Sequence, residues 1–279
     1  MARLQLIKHN AQLSGLRPEL ATYIGTAIEG LHQYSRFRSD EKPPGRASAV
    51  VVRPTEPRRP AVTAIKVRHT RPEDIPELIA LQARVYPDIP AWNRRKVREQ
   101  LEVFPQGQIV AEGENGLVGG ASSLIVLWDD WAESHTWKEI TGAGTFDNHN
   151  PLGRTLYGAE VFVDPNLQGQ GIGHLLYNGR RALCQAMNLK RVIACGRLPG
   201  YRAYSHDMSA EFYAQKVVWG DLVDPVLSFQ IKEGFSYCGV IENYIPEDHN
   251  SCGYASLIVW LNPDYHPEQP VTIPEHIAL

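Results

Sequence analysis

The sequence predicts an α/β domain on a mixed, mostly antiparallel central sheet with flanking helices, and three observations carry that prediction. Val161-Phe162-Val163 is an apolar run of strand formers, stopped by the turn residues Asp164-Pro165-Asn166, and it leads through alternating glycines into a helix. Upstream, two strand-like segments meet at Glu114-Asn115-Gly116, a hairpin signal. Downstream, strand patterns over 191–196, 236–244 and 253–261 alternate with helical ones.

In chain order, residues 1–62 read as an N-terminal extension: a short helix over 18–34, then a linker rich in Pro and Arg through Lys42-Pro43-Pro44-Gly45-Arg46 and on to Pro60. From Arg36 to Arg71 there are ten Lys or Arg against three Asp or Glu. That stretch has no interleaved aromatics and no amphipathic register, so it reads as a solvated tail rather than a nucleic-acid or membrane contact. The main domain spans 63–265, and 266–279 reads as a C-terminal tail. An alternating strand over 64–69 precedes Arg71-Pro72-Glu73-Asp74, where proline and acidic residues mark a helix start. A second helix is expected over 93–103, then strands over 108–112 and 117–127.

Residues 128–154 form a long insertion holding Asp129, Asp130, Glu133, His135, Asp147 and His149. No metal-ligand spacing links them, so they are expected on the surface or in a substrate loop. The central strand, 156–163, follows. The helix after it has an apolar face of Ile172, Leu175, Leu176, Leu183, Ala186 and Met187, with Arg180, Arg181 and Gln185 expected on its polar side. Past the next strand, Arg197-Leu198-Pro199-Gly200-Tyr201-Arg202-Ala203-Tyr204-Ser205-His206-Asp207 gathers aromatic, cationic and titratable groups where a substrate loop would sit. Ser209 is placed to cap a helix, and a further one from Asp224 is stopped by Gly234.

The turn at Gln168-Gly169-Gln170-Gly171-Ile172-Gly173 admits two readings. The helix that follows has no Ser, Thr or Asp cap, so its first backbone N–H groups need another partner. An anion such as a phosphate meets that need where glycines clear its approach. Alternatively, the glycines only make a tight turn. The spacing is neither a dinucleotide fingerprint nor a P-loop.

Composition sets outer limits. The chain has 279 residues, 43% of them hydrophobic, enough for a real core, and a net charge of −3 that gives no general attraction to nucleic acid. No apolar run is long enough to span a bilayer and the N-terminus lacks a secretory pattern, so a cytoplasmic protein is expected. Cys184, Cys195, Cys238 and Cys252 form no C-x-x-C pair and read as reduced structural thiols.

The strand, the loop Gln-x-x-Gly-x-Gly and the helix resemble the pyrophosphate loop of the GNAT superfamily of N-acyltransferases. Gly-Arg-Leu-Pro-Gly-Tyr at 196–201, Asp-Pro-Val-Leu-Ser-Phe-Gln at 224–230 and Gly-Tyr-Ala at 253–255 are similar to the GNAT domain that some bacterial proteins fuse to a carbon-nitrogen hydrolase domain. No such hydrolase constellation is recognisable here. The resemblance implies a sheet whose two central strands splay apart, with CoA in the gap. It implies that Gln168, Gly169, Gln170, Gly171, Ile172, Gly173 and His174 hold the pyrophosphate through their amides. Val161, Phe162 and Val163 would line the pantetheine arm, and the Val161 N–H would face the thioester carbonyl.

On this reading the protein is an N-acetyltransferase that moves an acetyl group from acetyl-CoA, its cosubstrate, to a primary amine on a small molecule or peptide by direct attack, without a metal. Glu160 is the first candidate for the base; Tyr157 stands where some relatives carry a carboxylate. The usual acid, a Tyr in the helix before Gly234-Phe235, is replaced by Gln230, leaving Tyr213, Tyr201 or Tyr204 as candidates, or a thiolate that departs unaided. Cys195 lies in an apolar strand without an evident activating histidine and reads as a packing thiol. The alternative function is a catalytically weak acyl-CoA sensor or regulatory module; a homodimer and a separately encoded hydrolase are the partners considered.

Overall fold

The computed structural model describes residues 65–87, 92–274 and 277–279. The chain divides into two units, 1–61 and 62–279, and every described residue lies in the second. The expected helix over 18–34 and the basic linker therefore fall outside the described residues.

Seven strands form one sheet in the order β1-β2-β3-β4-β5-β7-β6: β1 (Lys66–His69), β2 (Gln108–Gly113), β3 (Gly116–Val126), β4 (Thr155–Val163), β5 (Arg191–Arg197), β6 (Ser236–Ile241) and β7 (Ala255–Leu261). All neighbours are antiparallel except β4 and β5. The helices are α1 (Ile75–Val85), α2 (Arg94–Val103), α3 (Trp137–Ile140), α4 (Ile172–Ala186), α5 (Ala210–Trp219) and α6 (Leu227–Lys232). Asn93 and Ser209 cap α2 and α5 by accepting the N–H of Lys96 and Phe212. Gly234, at φ 85°, follows α6 in the left-handed conformation that halts a helix.

The parallel pair is short. β4 and β5 are in register only from Thr155 with Arg191 to Gly158 with Ala194, and beyond that the strands part. The fork opens at a bulge: Ser122 pairs with Glu160 but Ser123 with Gly158, so Ala159 is the extra residue. A bulge bends its strand and sharpens its twist, which carries the end of β4 away from β5. Past the fork β5 keeps only β7 as a neighbour.

Adjacent glycines on β3 show how closely helices approach both faces. A Cβ on Gly119 would meet Ile172 and Leu176 of α4, whereas one on Gly120 would meet Leu78 of α1 and the Phe162 ring. Side chains on a strand alternate between faces, so α4 covers one face and α1 the other.

Two expectations are corrected. Arg180 does not lie on a polar helix side: it is 2% exposed, and its guanidinium donates to the carbonyls of Ser122 (3.2 Å) and Glu160 (2.6 Å) and to Ser123 Oγ (3.1 Å). Those carbonyls flank the bulge, where ladder pairing is interrupted, and a long cationic donor reaches them from α4. Nor is 266–279 a separate tail. The Thr272 N–H donates to the Met187 carbonyl, Ile277 is buried in the core, and Leu279 packs on it. Replacing Arg180 by Ala is expected to lower stability by about 2–4 kcal/mol through a cavity and unsatisfied carbonyls, read as a lower denaturant midpoint.

Candidate active site

The glycine loop sits at the end of β4. Asp164 accepts the Asn166 N–H and turns the chain, and Gly169 (φ 78°) and Gly171 (φ 85°) both adopt left-handed backbone that favours glycine. No side chain caps α4, and beyond the position of a Cβ on Gly169 or Gly171 there is open space for 4 Å. Here is a helix N-terminus with a cleared approach. Gly173 has another reason: a Cβ there would press on the Phe229 ring of α6. The His174 imidazole faces away to Glu233 (2.9 Å) and Asn178, so only its backbone is available to the loop.

The open edge of β4 comes next. Asp164 N–H donates to the Val118 carbonyl, so by two-residue alternation Phe162 and Glu160 direct their backbone groups toward β3. Val161 and Val163 direct theirs into the fork, where an extended ligand could pair as an added strand. The Tyr86 hydroxyl, from the end of α1, donates to the Val161 carbonyl at 3.1 Å, and Trp137 Nε1 donates to the Ala159 carbonyl at 3.0 Å. From the β5 side, the Arg197 guanidinium lies 5.4 Å from the Tyr86 ring centre and is paired with buried Asp248. Tyr86 thus spans the mouth of the fork. Sequence reasoning missed Tyr86 and Trp137, since neither lies near a motif.

Glu160 projects to the α1 side. Both its oxygens accept from Gln82 Nε2 at 2.9 Å, and Gln82 Oε1 accepts the Trp92 N–H, which fixes the amide's orientation. Burial pushes the Glu160 carboxyl up to about 7, with the Gln82 bond opposing. A carboxyl poised there suits proton abstraction near neutral pH.

The histidines of the insertion are not surface groups. His149 accepts the Ile125 N–H and stacks on Phe104, and burial takes it down to about 4. His135 is 4% exposed and lies beside Tyr157 and Cys195, so the thiol does have a histidine neighbour. Asp147 is exposed. Among the described residues no three His, Cys, Asp or Glu are grouped to hold a metal.

The structure gives Tyr213 a packing role in place of a catalytic one: it is fully buried, its hydroxyl donates to Asp224 (3.0 Å), and burial beside that carboxylate raises its pKa. Tyr204 packs on Tyr213, ring centres 5.3 Å apart, in the same cluster. Neither ring contacts β4 in any described interaction. Gln230 is 3% exposed and lies against Gly196 on the splayed part of β5; its Nε2 donates to Tyr177 while its Oε1 has no partner. A buried acceptor left open beside the fork suits a ligand that brings an N–H, as the pantetheine arm of CoA does.

A forked parallel pair, a bulged central strand and a glycine-cleared helix start define the CoA-dependent acyltransferase class of α/β domain. Residues 75–208 match the Acetyltransferase (GNAT) family, and the chain belongs to it. It is 34% identical over 206 residues to the "Uncharacterized N-acetyltransferase YkwB" of Bacillus subtilis (strain 168), covering 72% of this chain and 91% of that one. It is also 41% identical over 203 residues to the "Probable hydrolase YhcX" of the same organism, covering 73% of this chain but only 40% of that relative's length. Among solved structures, the GNAT-like decarboxylase GphF in complex with isobutyryl-CoA superposes with a TM-score of 0.59 at 26% identity, over 71% of this chain and 99% of that one. No helix among the described residues is long and apolar enough to cross a membrane.

The Glu160 pKa carries a stability consequence. The folded chain holds this proton up to about pH 7 whereas the unfolded chain releases it near the ordinary 4.5, so stability falls as pH rises between those values. Glu160→Gln is expected to remove that slope and to melt higher than the wild type at about pH 8, as read by thermal denaturation at several pH values.

Proposed function

We propose that this chain transfers an acetyl group from acetyl-CoA to a primary amine by direct attack, with Glu160 as the base. The observation that carries this reading is the placement of a carboxyl of pKa about 7 on the bulged strand whose next residue, Val161, turns its backbone groups into the fork. Family membership supports the acyl-CoA donor, and the glycine-cleared start of α4 supports a pyrophosphate site.

In this mechanism the amides of 168–174 bind the pyrophosphate and Val161 and Val163 pair with the pantetheine arm. The Val161 N–H stabilises the oxyanion formed when the amine attacks, a contribution on the order of 2.7–4 kcal/mol in such sites. Glu160 takes the amine proton. Gln230 cannot protonate the departing thiolate as a tyrosine would, but a thiol pKa near about 8.5 makes thiolate a tolerable leaving group.

A second reading rests on the likeness to the GNAT-like decarboxylase: loss of CO2 from a carboxyacyl-CoA. Carbon dioxide release from such a thioester, set against CoA release with an amine, separates the two activities.

Calorimetric titration with acetyl-CoA tests the cofactor site. Gly171→Glu is expected to abolish binding, whereas Gly171→Ala shares the backbone strain without the carboxylate and retains it in part; a folded wild type that binds no acyl-CoA would end the reading. With an amine substrate, kcat/KM is expected to rise with pH through about 7 and to level above it. Glu160→Gln should lose that limb and about 10²–10⁴-fold in rate.

A further inference from the structure

The mechanism above leaves one group of reactive side chains unused. Cys195 is the first residue of β5 beyond the last β4–β5 pair, Gly158 with Ala194, so it stands at the apex of the fork. Its Sγ lies 3.6 Å from His135 Nε2. His135 Nδ1 is 2.8 Å from the Trp131 carbonyl, a partner that can only accept, so Nδ1 carries the proton and Nε2 turns its lone pair toward the thiol. The rings of Trp128 and Trp131 stand edge-on to the imidazole and fix its plane. Tyr157 and Tyr244 complete the cluster, with hydroxyls 2.6 Å apart and that of Tyr157 3.3 Å from Nε2.

A nucleophile, a base in reach and a third group orienting the base make the arrangement that activates a thiol. Three features distinguish it from a packing cysteine: the partner imidazole, its fixed tautomer, and a place at the apex of the fork, where the acyl-CoA reading puts the thioester. Cys184 provides the contrast, fully buried on α4 with its Sγ donating to the Leu189 carbonyl.

We propose that Cys195 is a second, covalent acyl acceptor: with no amine bound, the acyl group of acyl-CoA passes to its thiol, with His135 as the base. The inference rests on the acyl-CoA reading of the fork. In the step, the Cys195 S–H proton goes to His135 Nε2 as Sγ attacks the thioester carbonyl. The bond to the CoA sulfur breaks, and the departing thiolate takes that proton back from His135. One thioester is exchanged for another, acyl-Cys195 and free CoA, without an oxidant or any further reactant. Before attack the pair is neutral, since burial pushes the thiol up to about 12 and lowers the imidazole, so the proton moves only as sulfur adds. Tyr157 and Tyr244 share one hydrogen across their 2.6 Å contact, which leaves a single phenol O–H in the cluster to turn to the sulfur as negative charge grows on it.

The test is incubation of the full chain with acetyl-CoA and no amine, following free CoA by thiol assay and the protein by intact mass and peptide mapping. Expected are release of up to about one CoA per chain and one acetyl group mapped to Cys195, as the stoichiometry of a single nucleophile requires. Cys195→Ala should bind acetyl-CoA as the wild type does and take up none. His135→Gln should bind it and acylate about 10²-fold more slowly or worse, with slower Cys195 alkylation by iodoacetamide. Alkylation in the wild type should be suppressed by bound acetyl-CoA. A wild type that binds acetyl-CoA without becoming acylated overturns the inference but leaves the acyltransferase reading standing, as does acylation that persists in Cys195→Ala. A folded wild type that does not bind acetyl-CoA overturns both.

Discussion

The pairing of β4 with β5 for only four residues is the constraint on which the rest of the site depends. A parallel pair continued to the end of both strands would close every backbone group on itself and leave no edge for a ligand. Ala159 prevents that by entering as an extra residue, and the resulting bend needs support, because a bulge leaves backbone groups outside the ladder. Arg180 supplies it from α4, a guanidinium with no carboxylate partner in its described contacts that binds carbonyls on both bulged strands. Gly158 makes room, since a Cβ there would collide with that guanidinium and with Ala194. Loop, fork and helix are therefore one unit: α4 begins at the glycines that clear the approach to its N-terminus and, two turns later, props the strand that leads into them.

Much of this architecture was legible in the sequence, because local chemistry determined it. The hairpin at Asn115-Gly116, the caps at Asn93 and Ser209, the stop at Gly234 and the strand–glycine–helix unit all follow from rules that act over a few residues. What sequence hid was long-range. Arg180 has the composition of a solvent-facing position, and only the bulge, a property of two strands together, explains its burial. Tyr86 and Trp137 reach β4 from segments about 75 and 22 residues away in sequence. His135 and Cys195, 60 residues apart, carry no shared signal, so a pair in contact read as a loop residue and a packing thiol. Tyr213 erred the other way: its chemistry suited an acid, but a buried phenol must satisfy its hydroxyl, and Asp224 already does so.

The two faces of the fork divide the chemistry. On the α4 side lie the groups that suit holding a donor: the glycine loop, the packing of Val161 against the core, and Gln230 with its open acceptor atom. On the α1 side lie the groups that suit moving protons: Glu160 on its Gln82 bracket, and His135 among two tyrosines and a thiol. The same burial acts oppositely on them. It disfavours charge everywhere, so it raises a carboxyl and lowers an imidazole, bringing Glu160 to a useful value while keeping His135 neutral and able to accept.

That division explains how the fold tolerates Gln230 in place of a tyrosine. An acid beside the leaving sulfur is needed most when its thiolate forms with no proton nearby. If the acyl group is taken by Cys195, the proton leaving that thiol passes to His135, which then stands as a cation at the apex and returns it to the departing CoA. The acid is generated by the attack itself, at the site where the thiolate appears. A permanent tyrosine in α6 would then add little, and an amide can occupy its place, offering an oxygen to the ligand and a hydrogen to Tyr177. On the proposed direct route an attacking amine would pass its proton to Glu160, and the thiolate would depart on the strength of its own low basicity. The two proposed routes would share one oxyanion donor and one bound cosubstrate, and would differ only in which proton acceptor the incoming nucleophile lies against.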